Sequence, residues 1–158
     1  MQIRAARPED AELIFNFITA LAVYEREPDA VKIDAATIAA QLVADNPPFE
    51  CLLAHEGDEP AGFALFFHNY STWRGSQGVH LEDLFVHPHL RGRGIGKALL
   101  QAVARIAVDR GCPRFEWAVL DWNTPAIDFY RALGAEPLDE WTTFRIADDA
   151  LAALASGA

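Results

Sequence analysis

Residues 81–97 read Leu81-Glu82-Asp83-Leu84-Phe85-Val86-His87-Pro88-His89-Leu90-Arg91-Gly92-Arg93-Gly94-Ile95-Gly96-Lys97. A hydrophobic strand carrying two carboxylates runs into a short turn, and a glycine-rich loop then opens an amphipathic helix. A glycine-rich helix start bares backbone N–H groups at the positive end of the helix dipole, which makes an anion site. Arg91 and Arg93 add charge at the same place. The arrangement suits a diphosphate held beside a strand that positions a reacting group.

The glycine spacing excludes two familiar phosphate loops. A loop of the NTPase kind requires glycine where Arg91 stands and Ser or Thr where Ala98 stands. A dinucleotide fingerprint requires Gly-x-Gly-x-x-Gly inside a βαβ unit, and Gly92, Gly94 and Gly96 fall at other intervals. What remains is Arg-x-x-Gly-x-Gly, formed by Arg91, Gly94 and Gly96.

The 158 residues, 51% hydrophobic and 23% charged, describe one globular domain spanning 1–158. No apolar run reaches the ~20 residues of a membrane span, so no membrane partner is expected. The chain passes from Met1 directly into a strand-like Gln2–Ala5 without a signal-like stretch, and a cytoplasmic protein is expected. A net charge of −10 argues against nucleic acid and favours cationic partners. Cys51 reads as a small buried apolar residue and Cys112 as part of a turn. Neither has metal or disulfide spacing. His68, His80, His87 and His89 lack metalloenzyme spacing, so no metal is expected. His87 and His89, flanking Pro88, read as surface residues.

Glycine and proline divide the rest into short elements. Ile3–Ala5 is strand-like, and Pro8 opens a helix with Leu13, Ile14, Phe17, Ile18 and Leu21 on one face. Asp34 caps a second helix running to about Ala44. Phe49–His55 and Ala61–Asn69 form an antiparallel pair, and Val79–Val86 is the next strand. A helix follows from about Gly94 to Arg110, with Ile95, Leu99, Val103 and Ile106 as its core stripe. Phe115–Leu120 is expected as a strand, Thr124–Leu133 as a helix, Trp141–Ala147 as a last strand, and Asp148–Ala158 as one fraying helical turn. This is a mixed α/β (α+β) order with an antiparallel middle and a later crossover helix.

Three spaced motifs carry a resemblance across nearly the whole chain: Leu81-Glu82-Asp83-x-Phe85-Val86, Arg91-Gly92-x-Gly94-Ile95-Gly96, and Trp122-Asn123-x-Pro125-x-Ile127-x-Phe129-Tyr130. Together they resemble the GNAT superfamily of N-acetyltransferases, and within it the diamine (spermidine/spermine) acetyltransferases. The resemblance implies the GNAT acyl-CoA N-acyltransferase fold, a central, mostly antiparallel sheet flanked by helices. It implies acetyl transfer from acetyl-CoA, as cosubstrate, to a primary amine in a direct ternary complex. It also implies a homodimer with substrate sites near the subunit interface.

The chemistry assigns roles. An alkylamine with pKa near ~10.4 is unprotonated in about one molecule in a thousand at neutral pH, so the enzyme needs a proton acceptor. Glu82 is the candidate, directly or through water. Strand alternation places Glu82 with Leu84 and Val86, where desolvation raises a carboxyl pKa, and turns Asp83 to the opposite face. Tyr130 is the candidate acid for the departing thiolate. The resemblance assigns backbone bonds to the pantetheine arm to Phe85 and Val86, and the diphosphate to Arg91, Gly92, Arg93, Gly94, Ile95, Gly96 and Lys97, although Lys97 reads equally as a solvated helix residue. Asn123 matches a residue that bonds the pantetheine or neighbouring backbone.

Tyr24, Glu25, Trp73, Asp83 and Trp141 match positions lining the family's amine channel, where carboxylates and aromatic walls suit an extended cation. Ser71 and Arg74 reduce negative charge where a polyamine's second ammonium would sit. The amine is therefore read as a diamine, a polyamine, or a lysine-like molecule such as thialysine. Two other functions compete with it: a non-catalytic acyl-CoA sensor, and an acetyltransferase of protein amines. Retention of Glu82 and Tyr130 favours the enzyme over the sensor.

Overall fold

The computed structural model describes residues 1–157. The chain divides into two compact units, Met1–Leu120 and a second beginning at Asp121. In the first, β1 (Gln2–Ala5) leads through a 3-10 turn at Pro8–Asp10 into α1 (Ala11–Tyr24), followed by α2 (Ala35–Leu42). The strands β2 (Glu50–Glu56), β3 (Glu59–Ser71) and β4 (Ser76–Val86) come next, then α3 (Ile95–Asp109) and β5 (Phe115–Trp117). Sheet order is β1-β2-β3-β4-β5, antiparallel except for the parallel β4–β5 pair. The mostly antiparallel mixed sheet agrees with the expected fold class.

Local chemistry sets the helix starts. Asp10 takes a bidentate ion pair from Arg4 at 2.6 and 2.8 Å and accepts the Arg7 N–H at 2.8 Å, tying β1 to the start of α1. Asp34 caps α2 by accepting the Thr37 N–H at 2.8 Å. One face of the sheet packs Leu53, Phe63, Leu65 and Phe85 against Ile14, Phe17, Leu21 and Ile38 of α1 and α2. Phe17 stacks on Phe63 with centroids 5.3 Å apart. The alternate residues Leu52, Ala54, Ala64 and Phe66 are also buried, as expected when helices cover both faces. The buried stripe of α3 is Ile95, Leu99, Leu100, Val103 and Ala107.

Two irregularities of β4 matter for function. Phe66 lies opposite Leu81 but Leu65 lies opposite Asp83, so Glu82 is an extra residue in a β-bulge. On the other side, β4 pairs with β5 only at Val79, His80 and Leu81. From Glu82 to Val86 that edge carries no strand among the described residues. Gly62 supports the close β3–β4 approach beyond the bulge, because a methyl group there would overlap the Phe85 carbonyl.

In the second unit α4 (Thr124–Ala132) and α5 (Asp148–Ala155) are the regular elements. The strand expected at Trp141–Ala147 is absent; its alternation has no ladder partner within a unit of two helices. The C-terminal segment forms two turns of helix, longer than the single fraying turn expected, with Asp148 and Asp149 in its first turn. No helix among the described residues is long and apolar enough to cross a membrane.

Candidate active site

The open edge of β4 and the loop after it form one continuous surface. His87 donates its N–H to the Ala61 carbonyl at 2.9 Å, so residues 83, 85 and 87 face β3. Antiparallel alternation then turns the backbone groups of Leu84 and Val86 toward the open edge. Phe85, expected to bond a pantetheine arm through its backbone, is instead committed to β3, with its ring in the core. The backbone groups of Leu84 are the ones left at that edge. The β3 register supplies that assignment, and the motif alone does not.

The loop is preset for close approach. Gly92 and Gly94 have φ of 77° and 81°, a region costly for residues with a Cβ. Gly94 is the N-cap of α3 and offers no side chain to the first-turn amides, which leaves those N–H groups for a ligand. Gly96 is helical, and a methyl group there would meet only Val86 Cγ2, at 3.8 Å. Nothing in the protein itself requires that position to be glycine. Arg93 and Lys97 are exposed, whereas Ile95 is buried and contributes backbone alone.

Three carboxylates gather at the bulge. Asp83 is pushed up to about 7, first by burial and then by the charges of Glu82 and Glu25. Glu25, at the C-cap of α1, is raised by burial and by Glu82. Glu82 and Asp83 therefore do not work on opposite faces as alternation predicts, because the bulge breaks the alternation. The expected desolvation also falls elsewhere: the Glu82 side chain is 57% exposed, lying 3.9 Å from His80 Nε2, while Asp83 is half-buried. Arg26, at φ 64°, and the Glu27 N–H bond to the Ala22 carbonyl at 2.9 Å end α1 and fix where Tyr24 and Glu25 stand.

Other expected residues lie apart. Trp73 sits in the β3–β4 turn, 82% exposed. Ser76 and Asp83 are seven residues apart on β4, roughly 20 Å at the rise of a strand, so Trp73 and Asp83 of one chain do not line one small pocket. His87 is half-buried against Phe17 at 5.2 Å, not a surface residue, whereas His89 is exposed and bonds Glu59 at 2.6 Å. Cys51 is buried, and burial drives its thiol pKa far up, which leaves it no thiolate to react. In the second unit, Asn123 Oδ1 caps α4 by accepting the Ala126 N–H at 3.4 Å. Tyr130 lies on α4 with its ring 5.4 Å from Phe129, and Trp141 is 66% exposed.

The model of the acetyltransferase (GNAT) family matches residues 13–135. The chain belongs to the GNAT family. Thialysine N-epsilon-acetyltransferase of Sus scrofa is 40% identical, with 97% of this chain aligned to 96% of that protein. L-ornithine N5-acetyltransferase of Arabidopsis thaliana is 33% identical over 97% of this chain and 87% of its own. Among solved structures, an integron cassette protein of V. cholerae superposes with a TM-score of 0.80 at 26% identity, covering 98% of this chain and 96% of that one.

The GNAT chain is thus an amine N-acetyltransferase, and members of its family generally use acetyl-CoA. The features above fit that molecule. An unpaired strand edge accepts an amide-bearing arm by β-augmentation, and the bared amides of α3 with Arg93 nearby accept a diphosphate. The carboxylates gathered at the bulge suit attraction of an ammonium.

Proposed function

We propose that this GNAT enzyme acetylates the primary amine of a small cation of the thialysine or lysine type, by direct attack within a ternary complex with acetyl-CoA. The observation that carries the reading is the trio Glu25, Glu82 and Asp83 beside the open edge of β4. Such a trio attracts an ammonium and, once one carboxyl is ionised, accepts its proton. Acetyl-CoA supplies an activated acyl group; the chain's own residues do the rest. Leu84, the Val86 N–H and the first-turn amides of α3 orient the cosubstrate, with Arg93 and Lys97 adding positive charge.

Glu82, exposed on the bulge, takes the proton directly or through water, and Asp83 and Glu25 hold the cation. Tyr130 protonates the leaving thiolate, and Asn123 sets the helix that carries Tyr130. The names of relatives acting on thialysine and ornithine support an amine attached to an amino-acid backbone over a long polyamine. The separation of Trp73 from Asp83 fits a homodimer in which two copies share each amine site.

The test is thiol release from acetyl-CoA with thialysine, lysine, ornithine, putrescine, spermidine and a lysine peptide. Thialysine or a close analogue is expected to turn over fastest, and Tyr130→Phe to lower kcat by ~10²–10⁴. No turnover with any amine overturns the reading, and an undiminished Tyr130→Phe rate removes Tyr130 from its role.

A further inference from the structure

Arg91 heads the glycine loop, and its place in the motif alone would give its charge to the diphosphate. Its side chain turns elsewhere. Nε donates to the Val86 carbonyl at 2.9 Å, folding the arginine back onto the end of β4. The guanidinium carbon then lies 4.8 Å from the centroid of the Tyr24 ring and 5.6 Å from that of Phe85. His87, packed on Phe17 and Phe85, also registers the charge of Arg91. The Tyr24 contact leads from the loop to the end of α1, where Tyr24 precedes Glu25.

We propose that Arg91 is a positioning residue for the amine-binding end of α1 and that its side chain is not the phosphate ligand. Clamped by the Val86 carbonyl, it carries the Tyr24 ring and so sets Glu25 against the carboxylates of the bulge. The inference rests on the amine-acetylation reading and assigns Arg91 to one of its two substrates. A planar guanidinium bonds a carbonyl along one edge while its face covers an aromatic ring; the compact ammonium of lysine does not do both. The amides of α3, with exposed Arg93 and Lys97, remain for the diphosphate.

The experiment compares Arg91→Lys, Arg91→Gln and Tyr24→Leu in steady-state kinetics with both substrates varied, alongside calorimetric titration of each protein with coenzyme A. The amine KM is expected to rise about three- to tenfold in all three, the scale of a lost cation–π contact. Affinity for coenzyme A and kcat should stay within about twofold. The double variant Arg91→Lys/Tyr24→Leu should be no worse than the poorer single variant, since both remove one contact.

A tenfold loss of coenzyme A affinity in Arg91→Lys or Arg91→Gln, with the amine KM unchanged, overturns the proposal. So do additive losses in the double variant. If one Arg91 variant does not fold by thermal unfolding, the other carries the same comparison. The titration needs no turnover, so a wild-type protein that binds coenzyme A but acetylates no amine defeats the function reading. An active enzyme with a phosphate-binding Arg91 defeats this proposal alone.

Discussion

Asp83 meets two penalties at once: it is half-buried, and two other carboxylates face it. Its pKa stands at about 7 against an ordinary 3.8. The folded protein therefore keeps a proton that the unfolded chain releases between those values. The stability linked to that proton is fully present below 3.8 and is lost as pH rises through 7. The gap amounts to on the order of 4 kcal/mol as a ceiling. Asp83→Asn, which is neutral throughout, should match wild type in urea unfolding near pH 4 and exceed its stability by a few kcal/mol at pH 8. It should also raise the amine KM at least tenfold. Equal stability of the two proteins at pH 8 would mean that the carboxyl is not desolvated. None of this is visible in the letters Glu82-Asp83. Period-two alternation assigns the buried place to Glu82, and only the one-residue slip between Leu65 and Phe66 reverses it.

The start of α3 was legible because its chemistry is local: positive φ at Gly92 and Gly94 calls for glycine, and a run of apolar residues at helical spacing follows. The same holds for Asp34 before α2, whose cap acts within three residues. Elements that depend on distant chain were less legible. Trp141–Ala147 has the alternation of a strand and no partner in its unit, and the open edge of β4 depends on where β5 stops, at Trp117 rather than Leu120. Gly96 separates protein need from ligand need. Inside a helix, Gly→Ala is worth about 1 kcal/mol of stability, and the added methyl would meet only Val86 Cγ2 at ordinary contact distance. Gly96→Ala should therefore raise the melting temperature by a few degrees while weakening coenzyme A binding at least tenfold by calorimetry. A variant that gains stability and binds coenzyme A normally would show that no ligand approaches that face.

At the scale of the molecule, a charge of −10 sets up a field that two substrates of opposite sign must both cross. The field draws an amine in from beyond contact distance. It repels an anionic cosubstrate until the amides of α3, Arg93 and Lys97 take over at short range. Screening weakens the long-range part first: the Debye length falls from ~30 Å at 0.01 M salt to ~8 Å at 0.15 M. Over that range kcat/KM should drop several-fold for putrescine, which carries two positive charges. It should drop less for thialysine, whose carboxylate offsets one of its ammonium groups. For acetyl-CoA the drop should be smaller still, because removing the repulsion compensates for the weakened grip of the loop. The order of the three slopes is the measurement. Equal slopes for putrescine and thialysine would mean that charge at the bulge acts only on contact, and that the acidic surface serves solubility and not capture.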